Sequence, residues 1–175
     1  MPGMVHIDQV ETPEQIVAVQ DLLREYMAWS DTLTSNSNRD APTFAGFEEE
    51  FASLPGVYSP PRGRLLIATL DGKAAATVAL KPHDAQTCEL KRLYVRPGFR
   101  GHDLGRKLVV ALVEAARDMG YTRMVLDSHV SMNAAHTLYE SVGFERVSTP
   151  DDFPEALKPQ VVFMELDLAK ARIER

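Results

Sequence analysis

The chain has one cysteine, one tryptophan and no apolar run longer than a few residues among its 175 positions. Each scarcity excludes something. A lone Cys88 closes no internal disulfide and fits no multi-cysteine metal pattern, so a reducing, cytoplasmic setting is expected. The longest apolar stretch, 108–113, falls far short of the roughly 20 residues of a membrane span. The opening residues, from Met1 to His6, have neither the cationic start nor the apolar core of a secretory signal. Glycine (10) and proline (11) are present at ordinary levels without a period, which excludes collagen-like and low-complexity chains. What remains is globular: 45% apolar and 25% charged, at a length that suits one domain over 1–175.

Charge narrows the functional classes. A net charge of −6 disfavours a protein whose whole surface binds nucleic acid. From 91 to 107, however, Lys91, Arg92, Arg96, Arg100, Arg106 and Lys107 face Asp103 alone, a local balance of +5. A positive island on an acidic chain suits a compact polyanion better than a long phosphate backbone. The plainer reading is an arginine-rich, solvated helix start.

Periodicity gives the elements. Thr12-Pro13-Glu14-Gln15 predicts a capped helix start, with Ile16, Val19, Leu23, Tyr26 and Met27 on one face. The polar, aperiodic stretch 31–42 reads as a loop. Phe44, Phe47, Phe51 and Leu54 predict a short helix ending before Pro55-Gly56. Runs 64–70 and 73–80 form a hairpin through Asp71-Gly72, a type I′ pair. Strand 88–95 alternates, with Cys88, Leu90 and Tyr94 on one face. A helix follows over 104–119, stopped by Gly120, then a strand at 121–127. Ser131 caps a helix over 132–141 that Gly143 closes, and strands 144–147 and 161–168 end the fold. This mixture, with a hairpin in the middle, argues α+β.

The informative unit is a strand, a glycine-punctuated loop and a helix front. A helix start leaves about four amides without helical acceptors and carries partial positive charge, so it binds anions through backbone alone. The spacing of Gly98, Gly101 and Gly105 matches neither the dinucleotide fingerprint nor the P-loop. No His, Asp or Glu cluster has metal-ligand spacing.

Arg100-Gly101-His102-Asp103-Leu104-Gly105 resembles the cofactor loop of the GNAT N-acetyltransferase superfamily, which has Gln or Arg first, Gly fourth and Gly or Ala sixth. Asp103 stands where that pattern has its middle glycine. Downstream, Ala135-His136-Thr137-Leu138-Tyr139-Glu140-Ser141-Val142-Gly143-Phe144 is similar to the family's A-x-x-L-Y-E-x-x-G-F segment. Met132 occupies the position that often carries Asn, with Asn133 one place late. The two motifs and the elements between them cover roughly 65–168.

The resemblance implies a GNAT-like, mostly antiparallel sheet flanked by helices, in the order β-α-α-β-β-β-α-β-α-β-β. It implies acetyl-CoA as co-substrate, a small-molecule or peptide amine as acceptor, and direct attack within a ternary complex. The loop amides of Arg100, Gly101, His102, Asp103, Leu104, Gly105 and Arg106 would hold the pyrophosphate. Leu93, Tyr94 and Val95 would pair with pantetheine as an added strand, with Ala135 lining the same channel. Tyr139 would be the general acid, and a packed aromatic is its alternative. Glu89 is the candidate base, its alternative being a surface carboxylate paired with Lys91 or Arg92. His83 and His129 are rivals, and Cys88 lacks a His partner for a nucleophilic role. Family members are often homodimers, and neither nucleic acid nor membrane is an expected partner. The stretch 31–64 is expected to wall the acceptor side. The alternative function is a non-catalytic acyl-CoA-binding module, sensing or structural.

Overall fold

The computed structural model describes residues 3–32 and 47–170. Its elements are β1 (Val5–Gln9), α1 (Pro13–Asp31), α2 (Phe47–Ala52), β2 (Arg64–Leu70), β3 (Lys73–Pro82), β4 (Thr87–Val95), α3 (Leu104–Asp118), β5 (Arg123–His129), α4 (Asn133–Val142), β6 (Glu145–Val147) and β7 (Val161–Asp167). The order is the one expected from the motifs. The strands form one sheet, β1-β2-β3-β4-β5-β7-β6, antiparallel throughout except between β4 and β5.

Local signals explain most boundaries. Thr12 Oγ1 accepts from the Gln15 amide at 3.1 Å while Gln15 Oε1 accepts from the Thr12 amide at 3.0 Å, closing the capping box that starts α1. Asp71 and Gly72 both take positive φ (52° and 81°), as the β2–β3 turn requires. The buried faces of α1 and α2 (Val19, Leu22, Leu23, Met27 and Phe47) cover one side of β2–β4. Leu104, Leu108, Leu112 and Ala116 of α3, with Tyr139 and Val142 of α4, cover the other side.

Three expectations are corrected. Asp31 ends α1 instead of opening a loop, and positions 33–42 of that loop lie outside the described residues, as does Phe44. Ser131 does not cap α4: Met132 holds the cap position, and Ser131 Oγ lies 2.6 Å from His129 Nδ1. The strand expected at 121–127 runs two residues later. Tyr121 precedes it, donating its hydroxyl to the Arg62 carbonyl at 2.8 Å.

A fourth correction bears on function. Cys88, Leu90 and Tyr94 do not share a face. In the β3–β4 ladder Ala79 opposes Lys91 and Thr77 opposes Tyr94, so β4 carries one extra residue. Arg92 absorbs it with φ of 62°. Cys88 and Leu90 face α3, whereas Tyr94 is turned toward Tyr26 and Trp29 of α1, with ring centroids 5.6 and 6.3 Å away.

The bulge is held from outside the sheet. Arg92 Nε and Nη2 donate to Glu50 of α2 at 2.7 and 3.1 Å, and the Tyr58 hydroxyl donates to the same carboxylate at 2.6 Å. The Arg92 side chain is 4% exposed and that of Glu50 15%. Burial pushes the Glu50 carboxyl up, but the hydrogen bonds and charge of Arg92 outweigh it and hold it below the usual range. Arg92→Ala should therefore cost about 3–5 kcal/mol at pH 7 in urea unfolding, because Glu50 stays buried and uncompensated. A carboxyl with a depressed folded pKa stabilises above its unfolded value, about 4.3, and loses that stabilisation as pH falls through the folded one. The gap between wild type and variant should accordingly shrink below about pH 4.

Candidate active site

Ahead of the bulge, β4 and β5 part. They pair only at Thr87–Arg123, Cys88–Met124 and Glu89–Val125, although β4 runs on to Val95 and β5 to His129. The parting leaves the β5-facing edge of Leu90–Val95 without a strand partner and opens a cleft between them. Leu90, Lys91, Arg92 and Leu93 form one wall, and Asp127, Ser128 and His129 the other. Met132 at the cap of α4, with Ala135 and Tyr139 of that helix, closes the back, and Tyr26 and Trp29 of α1 lie across the front. The enclosed volume is about 70 Å³.

The loop after β4 leads to the front of α3. Gly101 takes φ of 90° and Asp103 φ of 60°, so the residue in the family's glycine position adopts a left-handed conformation that Asp tolerates. The Asp103 side chain makes no cap bond, and its carbonyl accepts from the Lys107 amide at 3.1 Å. The amides of the first turn, beginning at Leu104 and Gly105, point out of the helix front. Gly105 sits in close packing: a Cβ there would lie 3.1 Å from Leu138 Cδ2 of α4 and 3.7 Å from Val95 Cγ2 of β4. The helix front is thereby pressed against the mouth of the cleft.

The positive island separates into parts. Arg92 is held by Glu50, and Arg96 donates to Glu25 of α1 at 2.7 Å. Lys91 is 13% exposed and lies 3.7 Å from Glu89. Arg100, Arg106 and Lys107 remain around the loop; Arg100 stacks 5.8 Å from the Trp29 ring centroid, and Lys107 donates to the His102 carbonyl at 3.4 Å.

The sequence-derived residues distribute as follows. Tyr139, Leu93 and Ala135 line the cleft, and Tyr139 is 5% exposed, packed 5.6 Å from Phe144. Burial, with the nearby Tyr26 and Asp127, pushes its phenol above the ordinary range, so it stays protonated at neutral pH. Val95 reaches Gly105, while Tyr94 packs on the α1 side. Glu89 lies beside the cleft in an adjoining groove, 3.4 Å from His83 Nδ1. His129 borders the cleft. Burial pushes the Cys88 thiol up to about 12, the opposite of an activated nucleophile. Of the expected acceptor wall, Glu50 and Tyr58 serve instead to hold Arg92.

Sequence reasoning missed Tyr26, Trp29, Lys91 and Asp127. Tyr26 lies on the amphipathic face that reads as core, and Trp29 falls outside it. A signal did exist for Asp127: it ends the apolar run Met124-Val125-Leu126 with a charge. Burial and Glu89 raise its carboxyl above the usual range against the pull of Lys91 and Arg92. Burial lowers Lys91 in turn.

Comparison with known proteins agrees with this geometry. The model of the acetyltransferase (GNAT) family matches residues 19–144. The chain is 33% identical over 171 residues to an uncharacterized N-acetyltransferase of Schizosaccharomyces pombe, covering 97% of this chain and 98% of that protein. The fold superposes on an acetyltransferase of Streptococcus agalactiae with a TM-score of 0.74 at 24% identity, over 93% of this chain and 98% of that one. It also superposes on the PaiA N-acetyltransferase of Thermoplasma acidophilum, solved in complex with coenzyme A, with a TM-score of 0.71 at 18% identity, over 94% and 99%. A family match through both strands of the cleft, the loop and the start of α3, together with a relative aligned nearly end to end, shows that this chain is an acyltransferase and belongs to the GNAT acetyltransferase family.

Proposed function

We propose that this chain moves an acetyl group from acetyl-CoA to a primary amine by direct attack, with residues 1–175 acting as one acetyltransferase domain. The observation that carries the reading is the parting of β4 from β5 directly behind the front of α3. One feature offers unpaired strand edge and the other offers amides aimed at an anion. A long thioester with a diphosphate in its middle needs both.

The residues fit such a co-substrate. Amides from Arg100 to Arg106 take the pyrophosphate, with the positive φ of Gly101 and Asp103 turning the backbone around it. The edge of Leu93–Val95 takes the pantetheine amides, and one of its N–H groups polarises the thioester carbonyl. Leu93, Met132 and Ala135 supply an apolar channel. In the reaction the amine nitrogen bonds to the carbonyl carbon and the carbon–sulfur bond breaks. Tyr139 gives its hydroxyl proton to the departing sulfur, and Glu89 receives the proton lost by the amine. Solvent exchange then restores both groups. Burial suits Tyr139 to this role because a phenol that stays protonated at neutral pH releases its proton only as charge builds on sulfur.

Tyr139→Phe should lower kcat about 100-fold while leaving CoA affinity, read by calorimetry, unchanged. An unaltered kcat removes Tyr139 from the chemistry. Asp103→Gly takes a carboxylate away from the diphosphate and relieves a left-handed non-glycine residue. CoA binding should tighten about two- to fivefold in the same titration, and weakening would argue against a diphosphate at this helix front.

A further inference from the structure

The half of the sheet formed by β5, β7 and β6 has one face covered by α3 and α4. The helices α1 and α2 bury their residues against β2–β4 instead of this half. Register sets the composition of the other face. Glu89 opposes Val125, which opposes Glu165; Asp127 opposes Phe163, which opposes Val147. Phe153, from the chain between β6 and β7, stands edge-on against Phe163 at 5.2 Å. The result is a groove of about 440 Å³, within the size range of small-molecule sites, about 300–1,000 Å³. Asp127 lines both this groove and the cleft, so the two adjoin at that residue.

We propose that this groove is the acceptor site and that it takes a cationic primary amine carried on an apolar stem, with Asp127 holding the ammonium where groove and cleft meet. The inference rests on the acetyl-transfer reading for what happens to the amine afterwards.

The charges decide the class. Arg123 is paired with Glu165 at 3.3 Å, and Lys91 lies against Glu89 at 3.7 Å. Among the described residues, no ion pair reaches the Asp127 carboxylate, and no neighbouring side chain hydrogen-bonds to it. Lys91 and Arg92 act on the Asp127 carboxylate from beyond ion-pair distance without offsetting its burial, and a ligand cation in contact with it would remove that cost. Val125, Phe163 and Val147 give the stem an apolar floor. Arg123, the arginine at the groove, is already engaged by Glu165, so a carboxylate beside the amine gains little there. The groove therefore favours an amine over the corresponding amino acid.

Phenethylamine and phenylalanine test this on the full chain, because they share a stem and differ by the carboxylate. Phenethylamine should be acetylated with kcat/KM at least about tenfold higher, as expected when one ligand strands a charge. Val147, at the rim and 41% exposed, lies two strand spacings, about 10 Å, from Asp127. Val147→Lys should raise KM for phenethylamine about threefold and Val147→Glu should lower it about as much at low salt. Both effects should vanish at 0.5 M NaCl, and CoA affinity should not move. A merely structural effect would not reverse sign with charge. Equal use of phenylalanine, or two rim variants shifting KM the same way, overturns the proposal. Calorimetry with phenethylamine keeps the two readings apart. Binding that the rim charges tune, without any transfer, sustains the groove and sinks the acetyl-transfer reading. Transfer that ignores the rim charges does the reverse.

Discussion

The site depends on one break in regularity. β4 and β5 begin as a parallel pair and separate after three residues. The extra residue in β4 bends the strand within the stretch that has left β5, as bulges do, and Arg92 occupies it with a backbone angle that a branched residue would resist. Nothing local favours arginine in that conformation. What holds it is the carboxylate of Glu50, itself braced by Tyr58, reaching across from the segment before the hairpin. The helices of the N-terminal part thus act on the cleft mechanically, by fixing the strand that forms its wall.

Electrostatics follow from the same opening. Cations that form one cluster in sequence are separated by the fold according to how much water each retains. Arg92 and Arg96 are used in holding α2 and α1 to the sheet, Lys91 enters the cleft, and Arg100 and Lys107 stay beside the helix front. Asp127 and Lys91 each sit where burial disfavours their charge. A protein selected for stability alone would replace such a carboxylate with an apolar residue of similar volume. Its position at the meeting of cleft and groove gives a functional reason for keeping it.

Much of the scaffold was legible because its signals are short-range. The capping box at Thr12, the Asp71-Gly72 turn, the 3.6-residue period of α3 and the glycine after α4 each act within a few residues, and each appears where expected. The helix front at Leu104 and the position of Tyr139 were legible for the same reason, since both belong to contiguous motifs. Tyr94 was misassigned because alternation presumes an unbroken ladder, and a bulge depends on the partner strand. Ser131 was misassigned because His129, two residues away, competes for its hydroxyl.

By itself, then, the sequence determined the elements, their order and the glycine-punctuated turn at the start of α3, all of which depend on backbone preferences and neighbours within about two helical turns. Tertiary structure alone decided that β4 and β5 diverge, that Glu50 meets Arg92 across 42 positions, and that Asp127 stands where a cleft joins a groove. Those outcomes require segments remote in the chain to bury one another's charges, and no local preference encodes which carboxylate will meet which cation once water is excluded.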